Sequence, residues 1–258
     1  MDAIITAGGI PKPGDPLYSE TQGKPKALVE VAGKPMVQWV LDAITGAHDV
    51  GTIVIVGLDP DSGLYCDRPV QFLPNQGGMI NNIRSGIEYI KTEKTDAHHI
   101  LTVSSDIPAI TSEMVDWMIR TTMETDHDLY YSVIRREVME ARFPNSNRSY
   151  IHLRGMDVCG GDMNVIRALT VTGNDELWEK IVEARKSALR QASLIGYDTA
   201  ILLLLRLISL ERGVKMASKR LNIAGRVIDC PYAEVGMDVD KPHQLEIIRD
   251  DLVQRIAI

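Results

Sequence analysis

A glycine pair at the end of an apolar run is the first feature here that could do chemistry. Ala3-Ile4-Ile5-Thr6-Ala7 leads into Gly8-Gly9, and a loop rich in Gly, Pro and Lys then runs to Lys24-Pro25-Lys26-Ala27-Leu28. Adjacent glycines let backbone N–H groups approach a polyphosphate closely, and Lys12, Lys24, Lys26 and Lys34 supply point charges against it. Gly-Gly alone also makes an ordinary turn; the clustered lysines shift the reading toward a phosphate loop. The second feature is Ser104-Ser105-Asp106-Ile107-Pro108-Ala109-Ile110-Thr111. A carboxylate just beyond an apolar run and fixed by a following Pro suits a Mg²⁺ ligand, because that ion takes oxygen donors and keeps waters and substrate phosphates. The same residues also read as a strand-end turn with Thr111 capping the next helix. The third is Asp238-Val239-Asp240-Lys241-Pro242, two carboxylates on one face of an extended segment. One of them, Asp238 ahead of Asp240, is expected to complete the metal site, while Asp240 could equally begin a helix near Pro242.

Two better-known phosphate motifs are missing. No G-x-x-x-x-G-K-[ST] occurs, which argues against a P-loop ATPase, and no G-x-G-x-x-G follows a strand, which argues against a nicotinamide enzyme. His98-His99 has no metal-ligand partners at useful spacing. His152, beside Arg154, could orient a substrate, though a lone histidine of this kind more often has no chemical role.

The elements that must position these groups alternate. Ala3 to Ala7, Thr52 to Gly57 and Ile100 to Ser104 read as buried strands. Between and after them, Met36, Val37, Val40, Leu41 and Ile44, then Ile80, Ile83, Ile87 and Ile90, then Val115, Met118 and Ile119 recur at helical spacing. Strands alternating with helices imply a mostly parallel sheet covered on both faces, an α/β architecture in three layers, over residues 1–135. Residues 136–165 are rich in Arg, Asn and Gly and read as loops and short strands. Asp175 to Arg220 reads as two or three helices with nine basic residues against six acidic ones, an extra helical segment. Its apolar faces, Leu177 and Ile181, then Ile201, Leu204, Leu205 and Ile208, are expected to be core or dimer contacts, with a surface lying on an anionic membrane as the other reading.

The chain has 258 residues and a formal net charge of −7, so a general nucleic-acid binder, usually basic, is disfavoured. The N-terminus shows no targeting pattern, and the apolar run from Ala200 to Leu210 is interrupted by Arg206 and is about half the ~20 residues a membrane helix needs. No integral membrane segment is expected. Three widely spaced cysteines, Cys66, Cys159 and Cys230, with no C-x-x-C pair, read as reduced thiols in a cytoplasmic protein.

Taken together these segments resemble a family. A-G-G after the first strand, K-P-K-A-L-V-E-V-A-G-K-P-M-V-Q-W-V-L-D-A-I, S-D-I-P-A-I-T, Gly78-x-x-x-Asn82-Ile83-Arg84-Ser85-Gly86-Ile87 and D-V-D-K-P-H-Q-L look like the MobA-like NTP transferases of the GT-A-like fold. The resemblance is strong over Met1 to Thr111, returns over Ala233 to Ile248 and is thin between. It implies one nucleotidyltransferase domain over residues 1–258, with a nucleotide-binding half at 1–135 and an acceptor-binding half at 136–258 that carries the helical insertion at about 175–220.

The reaction it implies is Mg²⁺-dependent. A small phosphorylated acceptor (a sugar, polyol or cofactor phosphate) attacks the α-phosphorus of a nucleoside triphosphate, and pyrophosphate leaves. Cationic loop groups and the metal offset the repulsion between two polyanions. By this resemblance Gly8 and Gly9 hold the triphosphate, Lys26 neutralises the α-phosphate and Asp106 holds the metal. Ala7, Asn75, Gln76 and Gly78 would read the base, with Asn82 in the segment that flanks it. Arg142, Arg148, Arg154 and the loop Gly160-Gly161-Asp162-Met163-Asn164 fall where relatives hold the second substrate, and arginines there suit a phosphate. The family carries an Arg in the loop after A-G-G, and this chain has none between Gly9 and Lys26; Lys12 or Lys24 would substitute as a point charge, without the bidentate contact of a guanidinium. Two other readings stay open: a nucleotide-binding homologue that transfers nothing, and a glycosyltransferase of the same fold using a finished nucleotide-sugar.

Overall fold

Alternate burial along short strands builds the centre. The computed structural model describes residues 1–95, 98–173, 175–184 and 196–257. In β1 (Asp2–Thr6) the side chains of Ala3 and Ile5 enter one core and Ile4 the other, and all three are fully buried. The same division separates Ile53 and Ile55 from Val54 and Val56 in β4 (Ile53–Val56), and Leu101 and Val103 from Ile100 in β6 (His99–Ser104). Period-two side chains that are apolar on both faces require a layer on each side.

In chain order β1 is followed by a short helix α1 (Tyr18–Thr21), a small hairpin of β2 (Glu30–Val31) and β3 (Lys34–Pro35), and α2 (Met36–Gly46). After β4 come β5 (Val70–Leu73) and α3 (Met79–Glu93), then β6, α4 (Ser112–Met123) and β7 (Leu129–Arg135). The second half adds α5 (Arg136–Arg142), β8 (Ile151–Leu153), β9 (Met156–Gly160), β10 (Met163–Arg167), α6 (Ala168–Thr172) and α7 (Asp175–Ala184). It ends with α8 (Tyr197–Leu204), α9 (Leu210–Leu221), β11 (Gly225–Asp229) and α10 (Pro242–Ile256). One core, roofed by α2, α4 and α10, buries Val37, Leu41, Val115, Met118, Leu245 and Ile248. The opposite core lies under α3, α6 and α7 and buries Ile87, Ile90, Val171 and Trp178.

Among the described residues the main sheet has the order β5-β4-β1-β6-β10-β7-β9-β8, with β11 also on β7. β5, β4, β1 and β6 pair in parallel, and β11 pairs parallel with β7. β10 runs antiparallel between β6 and β7, so the second half of the chain inserts a strand into the middle of the sheet. β9 and β10 both run against β7, one at its end and the other at its start. Between them the chain bulges at Gly161-Asp162: the Gly161 N–H donates to the Ser132 carbonyl, and the Asn164 amide oxygen accepts from the Ser132 N–H.

The expected three-layer α/β/α arrangement with a mostly parallel mixed sheet is the one observed. Residues 136–165 differ from the loops and short strands expected, because α5 opens that segment. Its R-E-V-M-E-A-R sequence combines good helix formers, an Arg136–Glu140 pair at 2.8 Å and a fully buried Met139, and the Arg, Asn and Gly that follow hid it in the wider window. The extra helical segment contains α7, α8 and α9; Arg185, Lys186 and Arg190, counted in its basic surplus, lie outside the described residues. None of the described helices is long and apolar enough to cross a membrane.

Candidate active site

The parallel strands β1, β4, β5 and β6 all end at the same sheet edge, where α/β proteins bind ligands. Gly8 follows β1 and Gly57 follows β4, and the two backbones touch. A Cβ on Gly57 would lie 2.3 Å from Gly8 Cα, and Gly57 has φ +109°, so no other residue fits there. Asn75, just past β5, fixes the other side of Gly8: its amide donates to the Gly8 carbonyl at 2.8 Å, and its oxygen accepts from the Gly77 N–H and from Asn82. Asn82, buried in the first turn of α3, accepts from the Gln76 N–H at 2.7 Å. These contacts hold Gly8 and Gly9 open to a cleft of about 460 Å³, whose other walls include Lys26, Gly78, Met79 and Asp106. No side chain caps α3, and Gly78 and Met79 at its start line the cleft, so the positive end of the helix dipole lies beside it.

Opposite the glycines stands a set of charges. The Lys26 N–H donates to the Gly9 carbonyl at 2.8 Å, and fully buried Ala27 anchors the turn, so the lysine is held against the loop it would assist. Its ammonium lies 2.6 Å from one oxygen of Asp106 and also contacts Asp240. Burial alone would lower the Lys26 pKa, but attraction to Asp106 and Asp240 outweighs it and the pKa rises. Asp106 is fixed by the buried Ile107 and Ala109 that follow it and by its carbonyl, which accepts from the Val239 N–H at 3.0 Å. That bond ties the segment after β6 to Asp238-Val239-Asp240. Asp240 is set in place by Gln244, whose oxygen accepts from the N–H groups of Asp240 and Lys241 as α10 begins.

Asp238 points elsewhere, into an ion pair with Arg148. Of the two carboxylates expected at the metal site, Asp240 shares Lys26 with Asp106, while Asp238 pairs with an arginine. Among the described residues no three His, Cys, Asp or Glu side chains are grouped to hold a metal by themselves. Mg²⁺ does not need such a group, since it is commonly bound through one or two carboxylates plus substrate phosphates. The second oxygen of Asp106 is buried and has no hydrogen-bond partner, and Asp240 is exposed beside it. This donor pair fits a hard cation.

Several expected residues are brought to this edge and others are not. Ala7, Gly8, Gly9, Lys26, Asn75, Gly78, Asn82 and Asp106 converge. Lys12 lies in an exposed turn closed on Asp15 and is not part of the cleft wall. Arg154 sits in the β8–β9 hairpin, at the end of β9 remote from the bulge, about 20 Å away along an extended strand. The Asn164 amide is engaged by the backbone of Ser132 and Gly161, so it shapes the bulge, and Gly161 is there because a Cβ would meet the Ser132 hydroxyl at 2.3 Å. Arg142 pairs with Glu234 and Asp251 instead of facing the cleft.

Asp162, at the tip of the bulge, was expected only as a member of the Gly160–Asn164 acceptor loop, and its burial beside Asp106 and Asp240 was not foreseen. Burial, then repulsion from Asp106 and Asp240, pushes its carboxyl up to about 7, against the pull of Arg148 and Lys26. Its signal was a lone acid after two glycines between apolar runs, a pattern that also fits a surface loop. The Arg148 Nε is buried without a partner, so this arginine retains donor capacity beyond Asp238.

The family model for the MobA-like NTP transferase domain matches residues 3–196. No curated protein matches the chain. A hypothetical transferase from Thermus thermophilus is 32% identical with a TM-score of 0.80, over 95% of this chain and 98% of that one. A CMP:2-keto-3-deoxy-manno-octonic acid synthetase complexed with CTP has a TM-score of 0.63 at 15% identity, over 99% and 98% of the two chains. A 4-diphosphocytidyl-2C-methyl-D-erythritol synthase from Anaerococcus prevotii has a TM-score of 0.59 at 10% identity, over 97% and 95%. The last two likenesses are of fold, the GT-A-like arrangement.

Proposed function

The chain belongs to the MobA-like NTP transferase family, a nucleotidyltransferase family, and from that premise we propose that it moves a nucleoside monophosphate from a triphosphate to a small phosphorylated acceptor, releasing pyrophosphate. The observation that carries this reading is the placement of Lys26 between the glycine loop and the Asp106–Asp240 pair. The triphosphate lies along the N–H groups of Gly8 and Gly9 and the uncapped start of α3. Lys26 offsets the charge on the α-phosphate, which grows as the acceptor oxygen bonds to phosphorus and the bond to the departing pyrophosphate breaks. Asp106 and Asp240 would hold Mg²⁺; when bound, the ion supplies charge neutralisation and alignment of the phosphates. Arg148, which pairs with Asp238 and lies near Asp162, is the residue we assign to the acceptor phosphate.

CTP is the first donor to test, because one structural neighbour is named as complexed with CTP and another as a diphosphocytidyl-erythritol synthase. A sugar or polyol phosphate is the acceptor class to test with it. We place the protein in the cytoplasm on the strength of its unpaired cysteines, of which Cys159 and Cys230 are buried. The loop from Gly9 to Lys26 lacks an Arg and Lys12 is exposed, so a homologue that binds nucleotide without transfer is the competing outcome.

Thermal shift against the four common triphosphates, with and without Mg²⁺, tests the donor side, since a ligand of the folded state raises Tm by mass action. A base-selective shift, enhanced by Mg²⁺ and lost in Lys26→Ala, is expected. A shift with a nucleotide-sugar and none with any triphosphate would replace this reading with a glycosyltransferase.

A further inference from the structure

The connection between α8 and α9 carries an apolar tip that is exposed among the described residues. Leu204 is 82% exposed, and Ile201, Leu205 and Leu207 are each more than half exposed. The tip is nonetheless held in place. Ile208 is 1% exposed, and its carbonyl accepts from the Arg154 N–H at 2.9 Å, which ties the connection to the β8–β9 hairpin.

Cations flank this tip. Arg206, in the left-handed conformation at φ 58°, stands among the leucines. On α9, Arg212, Lys215 and Lys219 are all exposed, and at 3.6 residues per turn they fall within about 60° of one another. Val214, Ala217 and Leu221 occupy the opposite side of the same helix, where they face Leu129 and Val227 of the sheet. The cationic face is thus turned outward by the packing of the apolar one. None of these four cations has an ion-pair partner among the described residues, although the chain as a whole carries a net charge of −7.

We propose that the α8–α9 connection is a docking surface for a bilayer containing anionic lipid, with the leucines entering the interface and the cations meeting the headgroups. Charge complementarity selects this occupant. A second copy related by a two-fold axis would set the cationic face against itself, a like-charge contact. Exposed leucines beside exposed cations also make the amphipathic composition that an anionic interface binds. The attachment is peripheral, as no described helix spans a membrane, and it stands independently of the transferase reading.

Co-sedimentation with vesicles of phosphatidylcholine alone, or with about one-third phosphatidylglycerol, tests it on the full chain. The wild-type protein is expected to partition at least about tenfold better onto the anionic vesicles, and the preference should fall as salt rises. Leu204→Glu/Leu207→Glu should abolish binding, and Arg212→Gln/Lys215→Gln/Lys219→Gln should reduce it about tenfold. All these side chains are exposed, so the variants keep the wild-type circular dichroism melt, which checks that they fold. Failure to bind anionic vesicles, or equal binding to neutral ones, would overturn the proposal. So would a concentration-dependent dimer that the leucine variant dissociates, since a second copy would then be the occupant.

Discussion

At Lys26 burial and pairing oppose each other. An ammonium this far from water would lose its proton more readily were it not held by Asp106 and Asp240, and the outcome is a charge fixed beside the glycine loop. Lys26→Met should therefore do two things. It removes the cation that meets the α-phosphate, which costs about 10²–10³-fold in turnover. It also leaves the largely buried Asp106 without its counter-ion, a loss of roughly 1–3 kcal/mol that a denaturant titration would read. Asp106→Asn should lose turnover to a similar degree while the melting temperature stays near wild type; unchanged turnover would remove Asp106 from the site. Asp162 makes a separate prediction. The unfolded carboxyl releases its proton near 3.8 and the folded one at about 7, so between those values the folded chain holds the extra proton. Its contribution to stability is complete below the lower value and is lost as pH rises through the higher one. Asp162→Asn should flatten that decline in a pH series of thermal melts, and a decline that persists would assign it to other groups. Lys26 and Asp106 were legible in sequence because each sits just beyond an apolar run that fixes where it emerges. Asp162 was named only as part of its loop, because its burial and its repulsion from Asp106 and Asp240 depend on distant segments meeting at a bulge.

The elements show how little of this geometry is local. Gly8 is held by a backbone contact from the end of β4 and by an asparagine from beyond β5, and neither can be read from A-G-G itself. Gly57→Ala should destabilise the fold by at least about 2 kcal/mol, from the positive φ and the clash with Gly8, and weaken nucleotide binding in the same variant. Nucleotide affinity equal to wild type would show that the loop does not need this contact. Strands β1, β4 and β6 and helices α2, α3 and α4 were readable from periodicity, because burial on one or both faces imposes it. α5 was not, since one buried residue, Met139, gives no repeating stripe. The different partners of Asp238 and Asp240 were likewise beyond sequence reasoning: two acids at i and i+2 look equivalent until Arg148 pairs with one and Lys26 with the other.

For the whole molecule, the decisive feature is that one sheet joins both halves of the chain. β10, from the second half, lies between β6 and β7 of the first, and the bulge preceding it carries Asp162 toward Asp106. A nucleotide held at the ends of β1 and β6 and an acceptor held near Arg148 would consequently share one rigid edge, which favours in-line transfer over two loosely joined domains. The chain is acidic overall, and at the site Lys26 and Arg148 stand among Asp106, Asp162, Asp238 and Asp240. The most direct test is to incubate the protein with CTP, Mg²⁺ and a panel of sugar and polyol phosphates and resolve the products by mass spectrometry, with Asp106→Asn in parallel. The account predicts pyrophosphate and a cytidine diphosphate-linked acceptor in equal amounts, both absent from the variant. CTP binding with no product from any acceptor in the panel would contradict it, and would leave the arginine-free loop as the mark of a protein that only holds nucleotide.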